Sequence, residues 1–303
     1  MKRVATAVAL IPIVLVLILR APQPLLAAVV AAVAVLTVRE MLQLSERYGV
    51  QPLRWPTYAL VVLVFAAVAV GRGTPSTQEI AILLGTGVLC AFAPFVFATF
   101  AMPRQDLRTA FPAGAVSVFA LTSVALPLAF LVQLRGMWVA AVPGTIWILY
   151  LLAIVWSGDT FAMYAGKAFG RHKMSPRISP GKTWEGAAAS LIGSVAVGTF
   201  VYSKAYAIST GLERISLIDP DQAYRNVFEP TNLAPIILLS AFINIAAQLG
   251  DLVESLIKRG AGVKDSGSLL PGHGGMYDRI DALLFAAPVL WVYAVLHVLY
   301  AGN

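Results

Sequence analysis

Nine runs of apolar residues, bounded by charged or turn-forming residues, constrain this chain more than any other feature. They cover residues 4–19, 24–38, 57–70, 80–100, 111–132, 139–156, 187–207, 233–249 and 282–300. A helix that crosses a bilayer needs about 20 mainly apolar residues, with a range of about 17–25. The first three runs are short by that measure and must borrow flanking polar residues. Apolar and polar residues do not alternate strictly along the runs, which argues against a transmembrane β-barrel. Only a helix then satisfies its own backbone in lipid. The expected fold class is therefore an all-α integral membrane protein, a polytopic bundle of about nine transmembrane helices. Composition agrees: 59% of the 303 residues are hydrophobic and 12% charged, against about 25% charged in soluble domains. Ala, Gly and Ser within the runs suit close helix packing in lipid. Pro12, Pro94, Pro127 and Pro288 predict kinks inside them.

Charge sets the expected orientation. "MKR" followed by an apolar run resembles the start of a signal peptide, but the next run begins within a few residues, so an uncleaved first helix is expected. With the N-terminus cytoplasmic, 16 of the 22 Lys and Arg fall on the cytoplasmic side, leaving 6 outside, as the positive-inside rule demands. This places two polar loops, 157–186 and 250–281, in the cytoplasm. The loop 209–231 falls outside and carries no recognisable chemistry. The net charge of +7 is then membrane topology and not a nucleic-acid footprint, so no nucleic-acid partner is expected. The single Cys90 excludes a disulfide framework and a cysteine metal cluster. Without internal repeats, the chain parses as one polytopic membrane domain, with N-terminal helices over 1–156 and a second half over 157–303 that holds both polar loops.

The chemistry concentrates in the two cytoplasmic loops. Asp251, Glu254, Ser255 and Lys258 are spaced i, i+3, i+4, i+7 and share one helix face. Asp251 follows "NIAAQLG" directly, at the membrane boundary, where a carboxylate is expensive and marks a functional site by default; taken alone, it reads equally well as a helix end meeting water. Asp278 and Asp281 share a face at the mouth of the last run. Carboxylates alone would suit a metal site or a proton path. Interleaved with Lys258, Arg259, Lys264 and Arg279 and with "PGHGG", they suit Mg²⁺ bound together with polyphosphate. Glycines at 272, 274 and 275 let backbone amides approach phosphate oxygens. In the first loop Asp159 follows "LLAIVW" at a boundary. "PGKT" fails as a Walker A motif, because Pro176 stands where its first glycine belongs. The basic residues of that loop serve as positive-inside anchors or as contacts to anionic headgroups. An ion-coupled transporter is disfavoured, since its ionisable groups lie near the midplane rather than clustered in two loops.

The segment "SLIKRGAGVKDSGSLLPGHGGMYDRID" resembles the signature of the phosphatidate cytidylyltransferase (CDP-diacylglycerol synthase) family: Ser-x-x-Lys-Arg, four residues, Lys-Asp, then Pro-x-His-Gly-Gly and Asp-Arg-x-Asp. The stretches "DTFAMYAGKAFGR" and "SPGKTWEG" are similar to the family's other motifs, with one departure at Gly181, where many members carry a second Lys. The strong part of the resemblance covers residues 157–186 and 244–281.

The resemblance implies that CTP and phosphatidic acid give CDP-diacylglycerol and pyrophosphate, in the cytoplasmic (cell) membrane, with the active site facing the cytoplasm. It implies Mg²⁺ as cofactor, with Mn²⁺ as substitute and a second cation within its scope. Asp251 and Asp278, supported by Asp281, are implied as metal ligands, and these three with Lys258 as the catalytic set. Contacts to nucleotide or phosphate are implied at Ser255, Arg259, Lys264, Asp265, His273, Gly274, Gly275 and Arg279, and, from the first loop, at Asp159, Thr160 and Lys182. Members of the family are often described as dimers, so a homodimer joins the expectations. A different lipid acceptor stays open; the motif of CDP-alcohol phosphotransferases is not found.

Overall fold

The computed structural model describes residues 2–70, 78–220, 223, 232–269 and 274–301. Expectations for Gly272, for His273 and for most of 221–231 lie outside these residues. The described chain is α-helical and multi-pass. Six helices are long and apolar enough to cross a membrane, and three further apolar stretches, Ile11–Arg20, Arg54–Ala69 and Ala91–Ala101, are shorter among the described residues. The chain forms two compact units, Met1–Thr6 with Pro22–Gln133 and Ile257–Ile280, and Ala7–Ala21 with Leu134–Leu256 and Asp281–Asn303. Each unit draws on both halves of the sequence.

The first unit is built on helices α2 (Gln23–Arg47), α3 (Arg54–Val70), α4 (Gln78–Ala101) and α5 (Ala110–Ala120). Helix α1 spans Lys2–Arg20. Pro24 sits in the first turn of α2, where a missing N–H costs nothing. Ala34, Val38 and Leu42 of α2 are fully buried, with Val61 of α3 and Phe97 of α4. One π turn, Leu121–Ala125, separates α5 from α6 (Leu126–Gly136). Its wider ring, with Leu126 N–H donating to Leu121 C=O, accommodates Pro127, which lacks an N–H and would crowd a regular helix.

The second unit contains a short antiparallel pair, β1 (Trp138–Val139) with β2 (Val142–Pro143), and helix α7 (Gly144–Phe169). A hairpin follows, β3 (Lys173–Ser175) with β4 (Ser179–Thr183), then α8 (Trp184–Ser203) and α9 (Ala205–Arg214). Lys204 breaks the helix between α8 and α9, so the expected run 187–207 ends early. Helix α10 is Ala234–Gly260 and α11 is Tyr277–Ala301; the last residues of α10 and the first of α11 belong to the first unit. Helices α7 and α8 pack over small residues. A Cβ on Gly158 would lie 2.6 Å from Asn244 Nδ2 and 2.7 Å from Ser194 Oγ. Asn244 donates to Ser190 and Ser194, both at 2.9 Å, and accepts from Gln248 at 2.6 Å. Such buried interhelical hydrogen bonds join helices in a medium where no hydrophobic force does so.

Candidate active site

Three clustered carboxylates of the second unit come from two helices. On α10, Asp251 and Glu254 are one turn apart and point from one face; Asp281 stands in the second turn of α11. One oxygen of each of Asp251, Glu254 and Asp281 lies within 4.8 Å of the others. Glu254 is 1% exposed, while Asp251 and Asp281 are half-buried. Gly250 permits this approach: a Cβ there would lie 2.6 Å from the Asp281 carbonyl oxygen and 3.0 Å from the Phe285 ring. Because the obstacle is backbone, Gly250→Ala must push α10 and α11 apart. It is expected to lower turnover about 10- to 100-fold, since misplacement by an ångström can cost that much; steady-state kinetics on purified protein would read it.

Hairpin β3–β4 delivers the cation. Successive side chains on β4 alternate sides. Thr183 is 4% exposed and caps α8, its hydroxyl accepting from Gly186 N–H at 3.2 Å. Lys182, its neighbour, pairs with Asp251 Oδ2 at 2.8 Å and donates to the Gln248 carbonyl at 3.4 Å. Ser255 Oγ donates to Asp251 Oδ1 at 3.4 Å. Asp159 on α7 lies within the electrostatic reach of Asp251 and Lys182. Residues of both polar loops thus meet. The hydroxyl of Thr160, by contrast, donates back along its own helix to the Trp156 carbonyl at 2.7 Å. Glu185, in the first turn of α8, holds His172, whose Nδ1 is 2.6 Å away, and so fixes the base of the hairpin.

In the first unit Lys258 Nζ pairs with Asp278 Oδ1 at 2.5 Å, with side-chain exposures of 12% and 5%. Asp278 Oδ2 accepts from Gly275 N–H at 2.7 Å and Ser266 N–H at 2.9 Å, and it lies 3.0 Å from Ser266 Oγ, whose one proton it shares with Glu40. Gly274 adopts φ +79°, and a Cβ on it would overlap the Asp278 carboxylate. Glycine at 274 therefore serves the loop's own closure. Arg259 donates to the Val263 carbonyl at 3.2 Å, and Lys264, Asp265 and Arg279 are exposed.

Two carboxylates escape assignment from sequence. Glu254 shares the helix face with Asp251 but receives no role from spacing alone. Glu40 lies two residues past an apolar run, the same signal that singles out Asp251, and goes unremarked. In the fold it is 6% exposed and binds Ser266, Met276 and Tyr277.

Three carboxylates drawn this close repel one another, and the Lys182 ammonium beside Asp251 offsets part of their charge. Such a donor set fits a hard divalent cation. Oxygens about 2.1 Å from one Mg²⁺ lie up to about 4.2 Å apart, so the observed spread needs little closing.

The chain matches the model of the cytidylyltransferase family over residues 1–297. It is 37% identical over 145 residues to a phosphatidate cytidylyltransferase of Haemophilus influenzae, covering 48% of this chain and 44% of that one. A protein of the same name in Brucella abortus is 39% identical over 149 residues, covering 49% and 47%. These alignments span about half the length of the two relatives. Another of that name, in Thermotoga maritima, is 37% identical over 216 residues, covering 71% of this chain and 68% of the relative. With a family match over nearly its whole length, and a carboxylate cluster with its lysine drawn from the two motif loops, this chain belongs to the cytidylyltransferase family.

Proposed function

We propose that the chain is a phosphatidate cytidylyltransferase: it transfers CMP from CTP to phosphatidic acid, giving CDP-diacylglycerol and pyrophosphate. The observation that carries this reading is the meeting of Asp251, Glu254 and Asp281 within 4.8 Å, beside Lys182, in a multi-pass member of this family. The proposal includes nine membrane crossings, a cytoplasmic N-terminus and an active site facing the cytoplasm, supported by the Lys/Arg asymmetry. From the resemblance it also takes a homodimer.

Asp251, Glu254 and Asp281 would hold Mg²⁺, or Mn²⁺ in its place. Asp278 keeps, as a proposal, the ligand role that the resemblance implies, and its own surroundings add a second role, holding Lys258. A bound divalent cation supplies charge neutralisation at the CTP phosphates. Lys182 carries a mobile positive charge on a four-carbon stem, suited to a phosphate oxygen. Lys258, Arg259, Lys264, Asp265, Ser255, Arg279, Asp159, Thr160, His273, Gly274 and Gly275 remain the proposed nucleotide and phosphate contacts. A phosphate oxygen of the lipid attacks the α-phosphorus, the bond from α-phosphorus to the bridging oxygen breaks, and pyrophosphate leaves with its electron pair. The attacking oxygen is already largely ionised at neutral pH, so positioning and charge neutralisation carry most of the catalysis. The diacyl chains stay in the bilayer, which accounts for a nucleotidyltransferase made of membrane helices.

Purified protein given labelled CTP and phosphatidic acid is expected to make labelled CDP-diacylglycerol with Mg²⁺ or Mn²⁺ present and none after chelation. Absence of product with every phosphatidic acid species tried would refute the assignment. A panel of other lipid acceptors in the same assay would show whether the headgroup is read.

A further inference from the structure

The first N–H groups of a helix have no partners within it. At the start of α11, Met276 N–H donates to Glu40 Oε1 and Tyr277 N–H to Glu40 Oε2, both at 2.9 Å. Glu40 reaches them from α2, a helix distant in sequence. Its Oε2 also accepts from Ser266 Oγ at 2.8 Å. A carboxylate buried in a membrane helix is expensive, and it persists here because these donors meet its negative charge at the positive end of α11. Two glycines make room for it: a Cβ on Gly267 would lie 2.8 Å from Glu40 Oε1, and one on Gly275 would overlap the same carboxylate. The Ser266 hydroxyl that meets Glu40 also meets Asp278, the partner of Lys258.

From this chain of contacts we infer that Glu40 is a positioning residue: it ties Ser266 to the first residues of α11 and thereby sets Ser266, Asp278 and Lys258 for the CTP phosphates. The inference rests on the proposed use of CTP. Glu40 touches no substrate in this scheme and acts through the loop. It also gives Gly275 of the signature a purpose that phosphate contact alone does not require, since Gly267 and Gly275 admit the clamp.

Glu40→Gln tests it, because the amide keeps the size of the side chain but turns one acceptor into a donor facing another donor. Two readouts are needed. Hydrogen exchange of full-length protein in detergent is expected to speed up at Met276 and Tyr277 about tenfold or more. The KM for CTP is expected to rise about 10- to 100-fold, the loss of one charged hydrogen bond, with the KM for phosphatidic acid unchanged. Glu40→Asp, which keeps the charge, should recover part of the loss. Glu40→Gln combined with Ser266→Ala should be no worse than the worse single variant, because both break one chain of contacts. Unchanged exchange overturns the inference, and so does faster exchange with all kinetic constants unchanged. An equal rise in both KM values overturns it too, since that marks general damage. Should Glu40→Gln fail to accumulate, Glu40→Asp, whose shorter stem loosens both N–H bonds, carries the same two readouts with smaller effects in the same direction. If the wild type makes no product from CTP, the proposed function fails instead, and exchange alone still decides whether Glu40 clamps the loop.

Discussion

Asp251→Asn is expected to lower CTP-dependent turnover at least about a thousandfold, or roughly 4 kcal/mol of transition-state stabilisation. The substitution changes almost no volume, so packing around α10 survives. What changes is charge: one of three clustered carboxylates becomes a neutral amide, and the Lys182 ammonium loses the anion 2.8 Å away. Hard cations discriminate strongly for anionic oxygen, so the Mg²⁺ concentration giving half-maximal rate should rise as well. The check is conversion of labelled CTP by purified variant across an Mg²⁺ titration, with gel filtration confirming an intact, inserted protein. Turnover near wild type would remove Asp251 from the metal site.

Asp278→Asn is expected to cost about 100- to 1000-fold for a different reason. Lys258 and Asp278 form a nearly buried pair, 12% and 5% exposed. Removing one member of such a pair strands the other as an uncompensated buried charge, which typically costs about 3–5 kcal/mol of stability and disturbs the loop that Asp278 holds. The substituted side chain would also offer an amide where Oδ2 now accepts from Gly275 and Ser266. The two proposed roles of Asp278 separate in the kinetics. If holding Lys258 dominates, Lys258→Met and Asp278→Asn will be strongly non-additive and the Mg²⁺ requirement will stay put. If metal ligation dominates, the Mg²⁺ requirement will rise in Asp278→Asn and not in Lys258→Met. Full additivity with an unchanged Mg²⁺ requirement would defeat both.

Much of this protein was legible before any fold was seen. The helical, multi-pass character followed from hydropathy, because lipid admits few ways to satisfy a backbone. The two polar loops stood out for the same reason: charge at a membrane boundary is kept only where something uses it. Periodicity put Asp251 and Glu254 on one face, and the structure brings them to Asp281 and Lys182. The partners of Asp278 were not legible. Spacing in sequence says that Asp278 and Asp281 share a helix face, but a carboxylate at a helix start is as well placed to organise its own loop as to hold a ligand. Only the positions of Ser266, Gly275 and Lys258 show which donors it meets.

Glu40 marks the boundary between the two kinds of knowledge. The sequence by itself determined that this chain is a bundle of apolar helices with its chemistry gathered in two loops, since burial in lipid and the spacing of charges are local properties of the string. Tertiary structure alone decided which carboxylates face one another and which glycines admit them. A hydrogen bond between Glu40 and Tyr277 joins residues far apart in the chain, and its existence depends on how α2 packs, which no local pattern of residues encodes. The same holds for Gly250, whose missing Cβ matters only because α11 passes against it.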